Sequence, residues 1–398
     1  MQLRQIAKHN CYQDYHGYQS INTAVRRLNM ARHTKTLSMF SYFGGKSKLA
    51  PIICDLLDYE NTSIYIEPFG GACRTLLNKP KGNHVREIYN DSSAGLCTFV
   101  RVMSSPDTAQ TLIERLYQTE YSQAEFDRAL ALRNMVDDSV EKYYADEIAK
   151  LYRNLRKKES WDKKFVPTEE EIELAKNLLA KWDEIKESYD NNLDTLASTR
   201  SFIQDQIDPI ELAAATYVVY AQSRDGMGQH WTSYKYKSQE AYYKKIDQLY
   251  EVAERLEGVE VYQVNALTML SMGAYLTNHK SSDEYKKNML DHLGGFLDDP
   301  TVCCYADPSY LDPDETEKTP RDLGNGTYKF HSSYENHEHL LKMICHAKCH
   351  MVVSNYDSEL YNRYLSEENG WKKLEIPTKT SVGGKKGNNR VEVLWFNY

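Results

Sequence analysis

No run of 18 or more apolar residues occurs in this chain of 398, so no membrane-spanning helix is expected. The first residues, Met1-Gln2-Leu3-Arg4-Gln5-Ile6-Ala7-Lys8, lack the apolar core of a secretory signal, which predicts a cytoplasmic protein. No disulfide framework is legible either: eight cysteines scattered over this length read as reduced thiols. An excess of positive charge is also missing. The formal net charge of −8 counts against a simple basic nucleic-acid binder. Tyr42-Phe43-Gly44-Gly45-Lys46-Ser47 resembles the end of a phosphate loop, but Phe40 stands where a Walker loop needs glycine, and no strong strand precedes it. Nucleoside-triphosphate hydrolysis is therefore set aside. The chain has no internal repeat.

What is present is uneven. Arg4, Lys8, Arg26, Arg27, Arg32 and Lys35 face a single acid, Asp14, in the first 35 residues. Lys385, Lys386 and Arg390 share a late loop, and the acids gather between them, around Asp137-Asp138, Glu169-Glu170-Glu171 and Asp183-Glu187. A local positive face is compatible with a negative average. The 31 tyrosines suit stacking surfaces and amphipathic packing alike.

Residues 1–38 read as a basic extension without periodicity. A helix is expected after Gly44-Gly45, with Leu49, Ile52, Ile53 and Leu56 on one face. Strand Ile64–Glu67, a short helix near Ala72–Leu77, strand Val85–Asn90 and a helix from Ser92 to Met103 follow. Strands resume at Val259–Val264, Thr301–Ala306, Met351–Ser354 and Val391–Phe396. This alternation predicts an α/β sheet of Rossmann-like type, mostly parallel. The last strand, which follows a loop rather than a helix, is expected to run antiparallel at or near an edge. Between the two halves, residues 105–256 read as a helical insertion, with helices at Thr108–Gln118, Gln123–Val136, Ser139–Lys158 and Glu169–Ser188. Glycines and aromatics near 222–234 break it as a hairpin. The expected division is 39–104 with 257–398 for the sheet domain and 105–256 for the insertion.

Two strand ends carry the chemistry. Ile64–Glu67 runs into Pro68-Phe69-Gly70-Gly71-Ala72, where glycines let a ligand approach the backbone at the carboxyl end of a strand. Some twenty residues later Asp91 ends the next strand, the spacing at which an acid accepts hydrogen bonds from a ribose diol. Glu67 is placed to meet a cationic amine. These features suit adenosine joined to an amino-acid group, which is S-adenosylmethionine. The second end is Val302-Cys303-Cys304-Tyr305-Ala306-Asp307-Pro308-Ser309-Tyr310. An exocyclic base amine is a poor nucleophile because its lone pair is delocalised into the ring. The Asp307 carboxylate and the Pro308 carbonyl offer acceptors for its two hydrogens, which frees that lone pair. Proline fixes the direction of its carbonyl, and Tyr310 offers a face for stacking, worth ~1–3 kcal/mol. The expected reaction is methyl transfer by positioning, to a base flipped from the duplex.

The motifs Phe40-Ser41-Tyr42-Phe43-Gly44-Gly45-Lys46, Ile66-Glu67-Pro68-Phe69-Gly70-Gly71-Ala72, Tyr89-Asn90-Asp91, Ala306-Asp307-Pro308-Ser309-Tyr310, Val353-Ser354-Asn355-Tyr356-Asp357 and Arg390-Val391-Glu392-Val393-Leu394 stand in an order that resembles the D12-class, Dam-type adenine-specific DNA methyltransferases. The resemblance implies that Tyr42, Lys46, Asp91 and Asp307 contact the methyl donor, and that the insertion and its hairpin recognise DNA. Double-stranded DNA is then the partner, with a cognate restriction endonuclease as a second candidate. Two positions depart from the family: Ser309 replaces a second proline, and Asn265 stands where an acid is expected near the adenine ring. Cytosine-N4 or RNA amine methylation, or a catalytically impaired DNA-binding homologue, are the competing readings.

Arg224, His230 and Trp231 are the hairpin's candidates for DNA contact, and Lys385, Lys386 and Arg390 are candidates for gripping phosphates. Cys345-His346-Ala347-Lys348-Cys349-His350 lacks the second ligand pair that a structural zinc takes from a separate segment, so buried thiols are expected and no metal. Cys303 and Cys304 are expected in the sheet core.

Overall fold

The computed structural model describes residues 36–137, 207–224, 226–264, 266–272, 295–311, 334–379 and 389–398, with 168, 169, 173 and 176. Most of the basic extension, the helix expected at Ser139–Lys158, nearly all of that at Glu169–Ser188, and Asn265, Lys385 and Lys386 lie outside the described residues.

Seven strands form one sheet: β1 Ile64–Glu67, β2 Arg86–Asn90, β3 Glu260–Tyr262, β4 Val302–Ala306, β5 His350–Tyr356, β6 Lys372–Lys379 and β7 Asn389–Phe396. Their spatial order is β3-β2-β1-β4-β5-β7-β6. The first five are parallel, with Ile64 opposite both Arg86 and Val302. β7 runs antiparallel to β5 and to β6. The expected mixed sheet with an antiparallel last strand is what forms, and that strand lies one place in from the edge. The edge itself is β6, which the sequence reading missed. It begins Lys372-Lys373 and carries Pro377, and a proline is tolerated in a strand only where no inner ladder needs its missing N–H.

The chain runs outward from β1 to β3, returns, and runs outward the other way from β4. Between β1 and β4 the strand order therefore reverses. The crevice at their carboxyl ends is where open α/β sheets hold ligands, and it opens next to Glu67 and Asp307.

Strand alternation splits the core into two layers. Tyr65, Tyr89, Cys303, Tyr305 and Leu394 point to one face; Ile66, Ile88, Cys304, Val353 and Trp395 point to the other. Both cysteines of the pair are thus core residues, one on each side. The second face is covered by α9 (Ala266–Met272), α10 (Tyr334–Ile344) and α11 (Glu359–Tyr364). The first is covered by α1 (Ala50–Leu56), α2 (Arg74–Asn78), α3 (Ala94–Met103), α4 (Pro106–Tyr117), α5 (Gln123–Asp137), α6 (Pro209–Gln222), α7 (Gln239–Ile246) and α8 (Leu249–Leu256). In α1 the expected apolar face forms, with Ile52 and Ile53 fully buried. Every residue of α6 from Leu212 to Gln222 is buried. Through Leu112, Phe126, Val218, Tyr242 and Leu249, the described helices of 105–256 share one apolar cluster with the sheet. A buried ion cluster adds to the tie: Arg255 of α8 holds the Glu87 carboxylate on β2 at 2.7 and 2.9 Å, and Lys79 at the end of α2 pairs with the same acid.

Candidate active site

The glycine turn after β1 is built by backbone bonds. Gly70 N–H donates to the Asn90 carbonyl at 2.7 Å, and Cys73 N–H to the Gly70 carbonyl at 2.7 Å. A Cβ at Gly70 would sit 2.1 Å from the Tyr89 ring, so only glycine fits. Gly71 takes φ +48°, the left-handed region that favours glycine. Asp91 closes the turn: its Oδ2 accepts from Gly71 N–H at 2.8 Å and its Oδ1 from Ser93 N–H at 2.8 Å. The Asp91 carboxylate thus stands at the carboxyl end of β2, beside the glycine turn. Asn90 ties three strand ends, donating to the carbonyls of Pro68 and Val264 at 2.9 and 3.0 Å and accepting from Val264 N–H at 3.0 Å.

Glu67 sits beneath this turn. Its Oε1 accepts from the Tyr65 hydroxyl at 2.6 Å and from Leu76 N–H, in the first turn of α2, at 2.7 Å. Burial pushes its carboxyl up to about 8. In this geometry it anchors β1 to α2. Phe69 is partly buried against the second-face core.

Tyr42 and Lys46 come from the irregular segment before α1. A Cβ on Gly71 would lie 3.2 Å from the Tyr42 ring, so the ring packs closely against the glycine turn. Lys46 crosses to the other strand end. Its ammonium lies 2.6 Å from Asp307 Oδ1 and 3.6 Å from Glu392 Oε1. Ser354 at the end of β5 donates to the same Asp307 oxygen at 2.7 Å. Among the described residues, Asp307 Oδ2 receives no protein hydrogen bond. The Asp307–Tyr310 corner is fastened by Asn355, whose Oδ1 accepts from Leu311 N–H at 3.2 Å and whose amide donates to the Ser309 carbonyl at 3.5 Å and to the Tyr361 hydroxyl at 3.0 Å.

Tyr310 is held on three sides. Its hydroxyl donates to Glu392 Oε1 at 2.6 Å. The Tyr356 ring stacks on it at 4.1 Å and 12°. The Lys46 ammonium lies over the ring, 4.4 Å from its centre. A ring at stacking distance fills one face, so the ammonium takes the other. The sequence reading had offered Tyr310 as an open face; here both faces are occupied. It placed Ser354, Tyr356 and Glu392 in the family motifs but gave them no role. The available signal was Glu392, an acid inside the otherwise apolar run Val391–Phe396.

The expected hairpin closes through a bridge between Ser223 and Trp231, with Arg224 N–H donating to the His230 carbonyl at 2.9 Å. It lies against the segment that carries Tyr42 and Lys46, because Phe43 N–H donates to the Gly226 carbonyl at 3.0 Å. Arg224 and His230 are exposed, whereas the Trp231 ring packs 5.7 Å from Tyr121 at the core margin. Tyr234, three residues on, is 93% exposed. Arg390 lies in β7, opposite Thr378.

The model of the D12 class N6 adenine-specific DNA methyltransferase family matches residues 42–274, more than half of the chain. The chain belongs to that family. Its members are enzymes that methylate adenine N6 in DNA, which favours adenine over the cytosine-N4 and RNA readings. The matched segment of this methyltransferase carries Tyr42, Lys46, Gly70, Asp91 and the hairpin, and it ends before β4. The sheet supplies the rest, since Lys46 within the match touches Asp307 beyond it. No curated protein matches the chain.

Proposed function

We propose that the methyltransferase uses S-adenosylmethionine and acts on an adenine extruded from duplex DNA, with the donor on the β1 side of the crevice and the base on the β4 side. The observation that carries this reading is the 2.6 Å contact between Lys46 and Asp307, which joins the donor-side segment to the base corner across the switch point. The residues fit the donor. Gly71 carries no side chain where it meets the Tyr42 ring, and the Asp91 carboxylate stands beside that turn at the end of β2, where a ribose would meet it. When bound, the donor supplies an electrophilic methyl on a sulfonium.

The chain's own groups then do the positioning. Lys46 and Ser354 fix one oxygen of Asp307, which points the other, Oδ2, at an amine hydrogen. The Pro308 carbonyl accepts the second. With both hydrogens held, the nitrogen lone pair is directed away from the ring, and the proton released on methylation leaves along the Asp307 hydrogen bond. A base stacking on Tyr310 takes the place of the Tyr356 ring, because the Lys46 side is fixed by two carboxylates. Arg224, His230 and the exposed Tyr234 face the DNA, next to the loop that carries Tyr42. Lys385, Lys386 and Arg390 remain proposed phosphate contacts.

The test is transfer of labelled methyl from S-adenosylmethionine to DNA, followed by nucleoside analysis. Wild type is expected to yield N6-methyladenine, and Asp307→Ala to be slower by about 100- to 1,000-fold, the scale of losing one preorganised charge-stabilising group. Equal incorporation by both would falsify the role of Asp307. Label on cytosine alone would overturn the assigned base.

A further inference from the structure

Glu392 lies on β7, directly opposite Tyr356 of β5 in the ladder. Its neighbours along the strand are apolar, and its side chain is 5% exposed. A carboxylate in such a place destabilises the fold unless it is paired and hydrogen-bonded. Burial accordingly raises its carboxyl above the ordinary range. Both of its described partners belong to the active site: the Tyr310 hydroxyl at 2.6 Å and the Lys46 ammonium at 3.6 Å. An acid kept at a core position whose partners, among the described residues, all belong to the site is there for the site and not for the sheet.

The consequence is geometric. A phenol ring rotates about two side-chain bonds, and stacking restrains its tilt while leaving it free to slide in plane. The hydroxyl contact removes that sliding freedom. Tyr310 follows Asp307 by three residues on a short corner, so fixing the ring also fixes the plane in which a stacked base must lie relative to Asp307 Oδ2 and the Pro308 carbonyl. The same oxygen shares Lys46 with Asp307, which couples the stacking ring to the acceptor that holds the amine.

We propose that Glu392 is a positioning residue for methyl transfer, acting through the Tyr310 hydroxyl to set the plane of the target base. It touches no reacting atom. The assignment rests on the adenine-methylation reading, because it concerns where that base lies.

The experiment is a double-mutant cycle with Glu392→Ala, Tyr310→Phe and the pair, scored by single-turnover methyl transfer with kcat and both KM values. Each single variant is expected to lose on the order of tenfold in rate, the scale of a hydrogen bond to a charged group. The pair is expected to lose no more than the worse single. KM for S-adenosylmethionine should stay unchanged, a result that general loosening of the fold would not give. Glu392→Gln retains an acceptor for the hydroxyl and should recover most of the rate; this variant and Tyr310→Phe carry the test should Glu392→Ala not fold. Losses that multiply in the pair, a Glu392→Gln no better than Glu392→Ala, or a raised donor KM would each overturn the inference. Absence of any methyl transfer by the wild type would instead sink the functional reading on which it rests.

Discussion

The two halves of the crevice are built in different ways. The proposed donor side is made of backbone: Gly70 and Gly71 in a tight turn, closed by Asp91 twenty residues on, with the Asn90 carbonyl and side chain tying it down. The proposed base side is made of side chains: Lys46, Asp307, Ser354, Tyr356 and Glu392 converge from four separate elements around Tyr310. A backbone turn has few charged parts to lose and is fixed by the sheet beneath it. The other side holds two carboxylates around one ammonium, in a region with little water. The first should therefore tolerate loss of charge, and the second should not.

Lys46→Met is the sharpest way to test that contrast. It keeps the stem and removes the cation, leaving Asp307 and Glu392 beside each other without their shared partner. Breaking a buried pair in this way costs roughly 3–5 kcal/mol, and the partial exposure of Asp307 places the expectation at the lower end. The sign with pH follows from Glu392. Its carboxyl is already raised by burial, and Lys46 acts to lower it. Without the lysine it rises further, so the folded state binds more protons than the unfolded one. The variant should thus be closest to wild type in acid, and should lose ground as pH climbs through the ordinary carboxylate range and beyond. Thermal unfolding at several pH values reads this directly. A uniform loss at every pH would mean that the lysine stem, and not its charge, matters.

On the donor side the matching experiment is Glu67→Gln. The Glu67 carboxyl rises from 4.5 to about 8 on folding, so between those values the folded protein holds a proton that the unfolded chain has given up. Stability from this group is present below the unfolded value and is lost as pH rises through the window. Glutamine keeps an acceptor for Tyr65 and Leu76 N–H while removing the titration. The variant is expected to unfold with a flatter pH dependence and to exceed wild type by about 1–3 kcal/mol near pH 9, with S-adenosylmethionine affinity unchanged. Falling donor affinity would return Glu67 to the role first read from the sequence, as a partner for the donor's amine.

How much was legible follows the same division. Ile64–Glu67, Val85–Asn90 and the Gly70-Gly71 turn are local patterns, since period-2 apolar residues and glycines act within a few positions of themselves. The spacing to Asp91 is likewise short enough to read. Asp and Pro are ordinary at a strand end; Asp307-Pro308 stood out by its place after an apolar strand, downstream of the glycine turn and Asp91. The surroundings of Asp307 were not legible. Lys46 precedes it by 261 residues and Glu392 follows it by 85, and no one-dimensional pattern announces that the switch point brings them together. Edge strand β6 was hidden by Pro377 and two lysines, which lower strand propensity in any position except the one it occupies. The contact of the Trp231 ring with Tyr121, a partner 110 residues earlier, was likewise out of reach of any local pattern.

Tyr356→Ala carries the smallest expected effect and bears on the occupied face of Tyr310. An offset-stacked aromatic pair contributes roughly 0.5–1.5 kcal/mol beyond its buried area. In the free protein that contribution holds the slot shut, and a base entering on Tyr310 must replace it. Removing the Tyr356 ring removes the competitor without touching Asp307, Lys46 or Glu392. The expected result is tighter binding of DNA that carries a fluorescent adenine analogue at the target position, by about two- to tenfold, with brighter emission from an unstacked base and an unchanged affinity for S-adenosylmethionine. The alternative arrangement, in which the base stacks on the outer face of Tyr356, predicts the opposite sign, because the variant would then lose the surface that the base rests on. The direction of the change, more than its size, decides which ring receives the base.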